Sequence, residues 1–178
     1  RESKKGVLET DTKVVGLKAT TDEGLFLTSR AKLFRSMANM ALSDGGNGRS
    51  LNERLQCYQN VFGSGEANLG LLNMACVAAN ARAHKYRRQK EVPHIYKEYV
   101  ALSEGFYIKD NVLHLTRWGI SIPLEENSEL RNKWFDYIVI TRRRDNTWEV
   151  SGKKQKRKIF RNLSRIFVEL SWKDKMIL

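Results

Sequence analysis

Basic side chains crowd the later part of this sequence, and they are the residues best able to bind a ligand. From Arg142 to Leu178 there are 12 Lys or Arg against four Asp or Glu, which is +8 of the chain's formal net charge of +12. Arginine can place two hydrogen bonds on one phosphate, and lysine adds a point charge. The stretch therefore predicts binding to a polyanion through its backbone charge, without readout of sequence.

The candidate binding residues form two groups, and the sequence alone leaves open whether the two adjoin. The first group lies in a basic segment over 142–161 and comprises Arg142, Arg143, Arg144, Lys153, Lys154, Lys156, Arg157, Lys158 and Arg161. The second comprises Arg82, Lys85, Arg87, Arg88 and Lys90. A solvated charge run is the alternative for the first group. For the second, positive charge at the carboxyl end of a helix is a structural alternative.

Three kinds of partner fit these residues. Nucleic acid is favoured, RNA in preference to DNA, and self-association on it is expected. An anionic membrane surface competes, because Lys-rich patches gain about 1 kcal/mol per residue from anionic lipid. The run at 153–158 also matches a short nuclear-import address, with 142–144 as an upstream arm. Trp148, Phe160 and Trp172 are predicted to pack rather than to stack on bases.

Catalytic templates are missing from the sequence. There is no GxxxxGK[ST] loop, GxSxG elbow, HExxH pair or GxGxxG run. His94 and Glu98 would share a face only if that segment were helical, and His114 alternates with leucines in a predicted strand. Asp136 and Glu149 flank adjacent predicted strands, as in a metal-dependent nuclease, but Ser151 stands where a lysine would be expected. A non-enzymatic protein without metal or cofactor is predicted, and a nuclease is the enzymatic alternative.

Cysteine usage and hydropathy indicate the compartment. Cys57 and Cys76 lie in helix-like stretches without CxxC spacing, so neither a disulfide framework nor a zinc site is expected. The least polar stretch, 67–83, is interrupted by Asn and Arg and is shorter than the ~20 apolar residues that span a bilayer. We expect an intracellular, reducing location, either cytoplasmic or nuclear, or association with a virion.

Hydrophobic periodicity predicts the elements that must position these residues. Residues 1–12 are expected to form a flexible arm, and 13–178 a single domain. The first half is predicted to contain a hairpin of Val15–Ala19 with Leu25–Lys32 around the TTDEG turn, a short helix from Leu33 to about residue 42, a helix capped by Ser50 and Glu53, and a central Ala- and Leu-rich helix from Glu66 to about Gln89.

The second half is predicted to be mainly strands. In order they are strands over 106–108, 112–116 and 120–122, a short helix over 125–135, a buried strand over 137–141, a hairpin partner over 147–150, a Lys-rich connector over 153–158, and an apolar closing strand from Ile166 to Trp172. Residues 94–102 fit either a helix or a strand. The class is α+β, with an antiparallel sheet and three to five helices.

Two stretches carry a resemblance to a known family. ELRNKWFDYIVITRRRDNTWEV at 129–150 is a predicted helix, hydrophobic strand, basic turn and Trp-bearing strand, and LFLTSRAKLFRSMANMAL occupies 25–42. With the predicted element order, they resemble rhabdovirus matrix proteins. The chain departs from that family in lacking an early proline-rich motif and in having about 28 residues after the final hairpin.

The resemblance to rhabdovirus matrix proteins implies a non-enzymatic assembly protein. Such a protein would self-associate, condense ribonucleoprotein and touch the inner leaflet of a membrane. The alternative from the residues themselves is a nuclear nucleic-acid-binding regulatory module or a polymerase-associated domain. These roles differ in stoichiometry, because an assembly protein forms oligomers on its ligand and a regulatory module saturates one site.

Overall fold

One strand, three consecutive helices and six further strands follow one another along the described chain, and this segregation of helices and antiparallel strands confirms the α+β class. The computed structural model describes residues 9–44, 51–63, 65, 69–125 and 135–156. Within those ranges the helices are α1 (Thr21–Asp44), α2 (Leu51–Phe62) and α3 (Leu69–Lys85). The strands are β1 (Glu9–Leu17), β2 (Tyr99–Leu102), β3 (Phe106–Lys109), β4 (Val112–Leu115), β5 (Ile120–Pro123), β6 (Tyr137–Arg142) and β7 (Trp148–Lys156).

The strands form two sheets that touch at one corner. The larger sheet has the order β1-β7-β6-β2, and the smaller is a β3-β4-β5 meander. All registered neighbours are antiparallel. A bridge between Leu17 and Leu124, and a 2.8 Å hydrogen bond from Lys18 N–H to the Pro123 carbonyl, join the end of β1 to the end of β5. The two sheets are therefore held at a fixed junction.

One apolar core joins the helices to both sheets. Val100, Ile140 and Val150 face each other across β2, β6 and β7 and are fully buried. Phe34 of α1 and Leu113 of β4 belong to the same cluster of buried residues. Each such side chain contributes roughly 1.5–3 kcal/mol when it leaves water. The side of the sheet that faces the helices is thus fixed by strand alternation.

Helix α1 overturns the predicted early hairpin. Thr20 N–H donates to Glu23 Oε1 at 2.9 Å, and Glu23 N–H donates to Thr20 Oγ1 at 3.2 Å, which is a reciprocal capping box. The helix consequently begins at Thr21, not at Leu33, and the strand predicted over 25–32 is wrong. Leu27, Ala31, Phe34 and Ala38 are all buried at helical spacing.

The boundaries of the larger sheet also differ from prediction. Strand β1 begins at Glu9 and pairs with β7, so 9–12 are not part of a flexible arm. Strand β7 runs unbroken to Lys156, so 153–156 are not a connector. Residues 1–8, Ser50, 126–134 and 157–178 lie outside the described residues, and with them the predicted cap of α2, the helix over 125–135 and the closing strand.

Two of the predicted turns are confirmed, whereas the TTDEG turn is replaced by the start of α1. Asp110 and Asn111 join β3 to β4 with φ of 52° and 61°, the left-handed conformation that a two-residue hairpin turn needs. Asn146, with φ of 67°, closes the turn between β6 and β7. Residues 94–98 are neither helix nor strand, and β2 begins at Tyr99. This irregular segment is central to the site described next.

Candidate nucleic-acid interface

The three hairpin arginines differ in what they contact. Arg142 is half-buried, and its Nη1 donates to Glu98 Oε2 at 2.7 Å. Arg143 Nε donates to Glu149 Oε2 at 2.9 Å, and its Nη1 lies 4.0 Å from Glu125 Oε1. The hydrogen bond to Glu149 raises the pKa of Arg143. The positive charge of Arg143 is therefore paired with a neighbouring carboxylate.

Arg144 alone of the three is exposed without an ion pair among the residues that the structure describes. The turn beneath it is ordered by Asp145, whose Oδ1 accepts hydrogen bonds from Thr147 N–H at 3.0 Å and from Thr147 Oγ1. These bonds lower the pKa of Asp145. The sequence predicted three exposed arginines at the hairpin tip. In the described structure, Arg144 is exposed, whereas Arg142 and Arg143 are half-buried and ion-paired.

Two of the three lysines of β7 lie opposite acidic residues of β1. The register pairs Glu9 with Lys156 and Asp11 with Lys154. Lys153 lies opposite Thr12 and is half-buried. Arg157, Lys158 and Arg161 are outside the described residues. Strand β1, which is distant in the sequence, thus brings two acidic residues to β7, whose segment 153–156 contains basic but no acidic residues.

These contacts lower the net charge of the predicted basic segment. Residues 142–156 hold six Lys or Arg and two acidic residues, a net +4. Strand β1, with two acidic residues and one lysine, reduces this to +3, and the glutamates at 98 and 125 reduce it to +1. Residues 82–97 hold six Lys or Arg and one Glu, a net +5. The stronger field within the described residues therefore lies at the second group.

The second group lies at the end of α3 and in the irregular segment that follows, 86–98. We call this segment the strap because it crosses from the end of α3 to the start of β2. The exposed cations beyond the helix are Arg87, Arg88, Lys90 and Lys97. Among the described residues none of the four forms an ion pair. Glu91 is the one acidic residue of the strap besides Glu98, which binds Arg142. The strap is therefore a basic ridge with exposed cations near both of its ends, at 87–90 and at Lys97.

Two helices hold the strap by its backbone. Arg82 of α3 donates from Nε to the Pro93 carbonyl at 3.0 Å and from Nη2 to the His94 carbonyl at 3.1 Å. From α1, Asn39 Nδ2 donates to the Ile95 carbonyl at 3.0 Å, and Asn39 Oδ1 accepts from Ile95 N–H at 2.7 Å. Arg82, predicted as a ligand-binding residue, is thus engaged in positioning. Its guanidinium also lies 4.6 Å from the centroid of the Tyr86 ring.

A groove of about 450 Å³ runs between α3 and the strap. It is lined by Ala78, Ala81, Arg82, Lys85, Ile95, Tyr96, Lys97 and Tyr99. Burial raises the pKa of the Tyr99 hydroxyl, and the nearby Arg82 offsets part of that rise, so Tyr99 stays neutral near pH 7 and adds no negative charge. The lining combines apolar and aromatic side chains with three cations, which suits an anionic ligand with a flat apolar part.

Glu98 joins the strap to the hairpin. Its carboxylate accepts from Arg142 Nη1, and its backbone carbonyl accepts from Arg142 N–H at 3.2 Å. Tyr99 lies opposite Thr141 in the register between β2 and β6. The two groups predicted from the sequence therefore meet at the beginning of β2. Lys97 and Tyr96, between the groups, were missed, and the HIYK run after Pro93 was the available signal.

The other candidate side chains do not form a reactive site. His94 and Glu98 do not share a helical face, because 94–98 is irregular. His114 Nδ1 lies 2.8 Å from Ser121 Oγ on the smaller sheet. Asp136 and Glu149 lie near opposite ends of the β6–β7 pair, five residues or roughly 16 Å apart along the strands, so they cannot share one metal ion. The described ranges contain no group of three or more metal-ligating side chains.

Trp148 is 3% exposed and packs in the core, as predicted, whereas Phe160 and Trp172 lie outside the described residues. Neither Cys57 nor Cys76 forms a disulfide within the described residues, and both side chains are half-buried. Across the parts of the chain that the structure describes, no helix combines the length and apolar character that crossing a bilayer requires.

A scan against protein-family models finds none that matches this chain, and a search of curated proteins finds no matching protein.

Proposed function

We propose that this chain is a non-enzymatic assembly protein that binds nucleic acid, RNA in preference to DNA, along a basic surface running from the strap to Arg144. The observation that carries the proposal is the strap itself. Together with the end of α3, it gives residues 82–97 a net +5, while contacts with acidic residues lower the charge of the hairpin region to +1. Phosphate backbones are the polyanions that such a ridge neutralises.

Helix-dipole compensation accounts for only part of this charge. The dipole acts within the last turn of α3, where Arg82, His84 and Lys85 lie. Arg87, Arg88, Lys90 and Lys97 follow the helix, and clustering them costs repulsion, since none of the four forms an ion pair with a described carboxylate. A surface that keeps like charges together against this cost supports a ligand of opposite charge.

The assembly role rests on the resemblance to rhabdovirus matrix proteins. The strand, basic turn and Trp-bearing strand that carry much of that resemblance form the β6–β7 hairpin. Light scattering during titration with RNA tests the role: we expect scattering to keep rising with protein concentration. Saturation as a one-to-one complex would instead support the nuclear regulatory module.

Neutralising two strap arginines is expected to weaken RNA binding and its salt dependence. In the Arg87→Gln/Arg88→Gln variant, affinity for single-stranded RNA should fall about tenfold, and the slope of log affinity against log salt should flatten by about 1.4, or 0.7 per phosphate contact. Fluorescence anisotropy over a salt series measures both. The control is Lys18→Gln/Lys109→Gln, which removes two exposed charges elsewhere. Equal slopes in both variants would contradict the proposal.

Substitutions of two hairpin arginines are expected to have different effects, one on RNA affinity and the other on stability. Arg144→Gln is expected to lower RNA affinity severalfold and to leave the melting temperature unchanged, because this side chain is exposed and forms no described ion pair. Arg142→Gln should lower the free energy of unfolding by about 1 kcal/mol, because it leaves a half-buried Glu98 without its partner. Thermal melts and anisotropy on both variants give the comparison. The reverse pattern would place the binding surface elsewhere.

A further inference from the structure

Tyr96 has the greatest exposure of the large apolar and aromatic side chains that the structure describes. Its relative exposure is 75%, against 48% for Tyr107 and 65% for Leu25. An exposed tyrosine leaves most of its ring in contact with water, although burial of that ring would be favourable. Its neighbours in the sequence behave differently, since Ile95 is buried and Lys97 is charged. The ring is therefore an apolar surface displayed on the basic ridge.

The display of Tyr96 is fixed by its backbone. Arg35 Nη1 donates to the Tyr96 carbonyl at 3.1 Å, and Asn39 holds the preceding residue with two hydrogen bonds. The Ile95 side chain is 7% exposed and anchors the segment in the core. The ring of His94 stacks on Tyr96, with centroids 6.5 Å apart and planes 28° apart. The backbone around Tyr96 is therefore already ordered without a ligand, so binding loses less conformational entropy.

Tyr96 shares its groove with cationic side chains. The groove is lined by Tyr96 together with Lys85, Arg82 and Lys97, and Tyr96 also lines a second depression with Pro93 and His94. An exposed ring in a groove that is also lined by cations matches the two parts of a nucleotide: a flat base and a phosphate. Base stacking on aromatic rings beside a positive groove is the general means of holding single strands.

We propose that Tyr96 is a base-stacking platform, and that the ligand of the strap is single-stranded RNA, its phosphates lying along Lys85 and Lys97. This inference rests on the proposed nucleic-acid function. A duplex cannot use the ring, because its bases are already stacked and paired, and it would engage the ridge through backbone charge alone. Stacking is tolerant of sequence because every base presents a π-face, so broad specificity is expected.

The test compares one ring substitution on four ligands. Tyr96→Ala should lower affinity for a single-stranded RNA of about 15 nucleotides by about tenfold. It should leave affinity unchanged for the duplex of the same sequence, for heparin and for phosphatidylserine vesicles. Tyr96→Phe and Tyr96→Trp should bind single strands as tightly as the unmodified protein, because both keep the ring. Tyr107→Ala is the matched control, an exposed tyrosine on β3 stacked on His114.

The outcomes separate this inference from the proposed function. Salt-sensitive RNA binding that Tyr96→Ala leaves intact would overturn the platform and keep the function. A uniform loss on all four ligands would also overturn it, because the ring would then act through the fold of the strap. Unmodified protein that binds vesicles but no RNA would overturn both. Selective loss on single strands, restored by Phe and Trp, would support both.

Discussion

Gly152→Val is expected to lower the free energy of unfolding by about 3 kcal/mol. Gly152 lies in β7, opposite Ile138 of β6 and Lys13 of β1, and is buried. A Cβ at this position would overlap the ring of Phe135, which is itself only 6% exposed. The ring cannot move outward without exposing apolar surface, and the strand is fixed on both sides by hydrogen bonds. Overpacking must therefore strain the centre of the larger sheet.

Urea unfolding followed by circular dichroism measures this loss, with Gly24→Ala as the control of opposite sign. Gly24 lies in α1, and a Cβ there would find Trp148 Nε1 at an ordinary 3.7 Å. Alanine should stabilise that helix by about 0.5–1 kcal/mol, since it has less backbone freedom to lose. If Gly152→Val unfolded at the same urea concentration as the unmodified protein, the packing of Phe135 on β7 would be refuted.

Asn39→Ala is expected to destabilise the protein by about 2–3 kcal/mol and to lower RNA affinity as much as Tyr96→Ala does. Asn39 both donates to and accepts from the backbone of Ile95, in a partly buried position. Without the amide, the N–H and carbonyl of a buried residue lose their partners, which costs ~1–3 kcal/mol for the group left unsatisfied. Among the described residues, the hydrogen bond from Arg35 to the Tyr96 carbonyl would then be the one that still joins α1 to the strap.

Asn73→Ala provides the comparison for Asn39→Ala, because Asn73 is an exposed amide on α3. That substitution should change stability by less than about 0.5 kcal/mol and leave RNA binding intact. Hydrogen exchange at the Ile95 amide reports on the strap directly, and we expect its protection to drop in Asn39→Ala. Preserved protection with weakened binding would mean that Asn39 itself contacts the ligand.

Local signals in the sequence predicted the elements with strong turns or long apolar periods. The hairpin at Asp110 and Asn111 and the strand over 137–141 are confirmed because their conformations depend on adjacent residues. The helix at 21–44 was missed for the opposite reason. Alternation of Val15, Leu17 and Ala19 suggested that a strand should return, and the Thr20-to-Glu23 capping signal lay within what looked like a turn. Recognising the capping box would have found α1.

The site was harder to predict because its charge balance depends on distant contacts. Lys154 and Asp11 are far apart in the sequence and opposite in the sheet, and Glu98 meets Arg142 across 44 residues. A count of charge along the chain cannot include such pairs, so it favoured 142–161 over 82–90. Tyr96 was missed because the exposure of its ring follows from the anchoring of its backbone by α1, which the HIYK run by itself does not show.

The pairing of β1 with β7 has a consequence for how the chain reaches its native state. Leu17 and Trp148 are neighbours in the sheet, although 131 positions separate them, so this pairing closes the longest loop in the larger sheet. Contacts of such high sequence separation tend to form slowly. While β1 is undocked, the strand that brings Glu9 and Asp11 opposite Lys156 and Lys154 is missing, and β7 has an open edge. A chain caught before that step is therefore expected to attract polyanions at β7 instead of at the strap, and refolding in the presence of RNA should be slower than refolding without it.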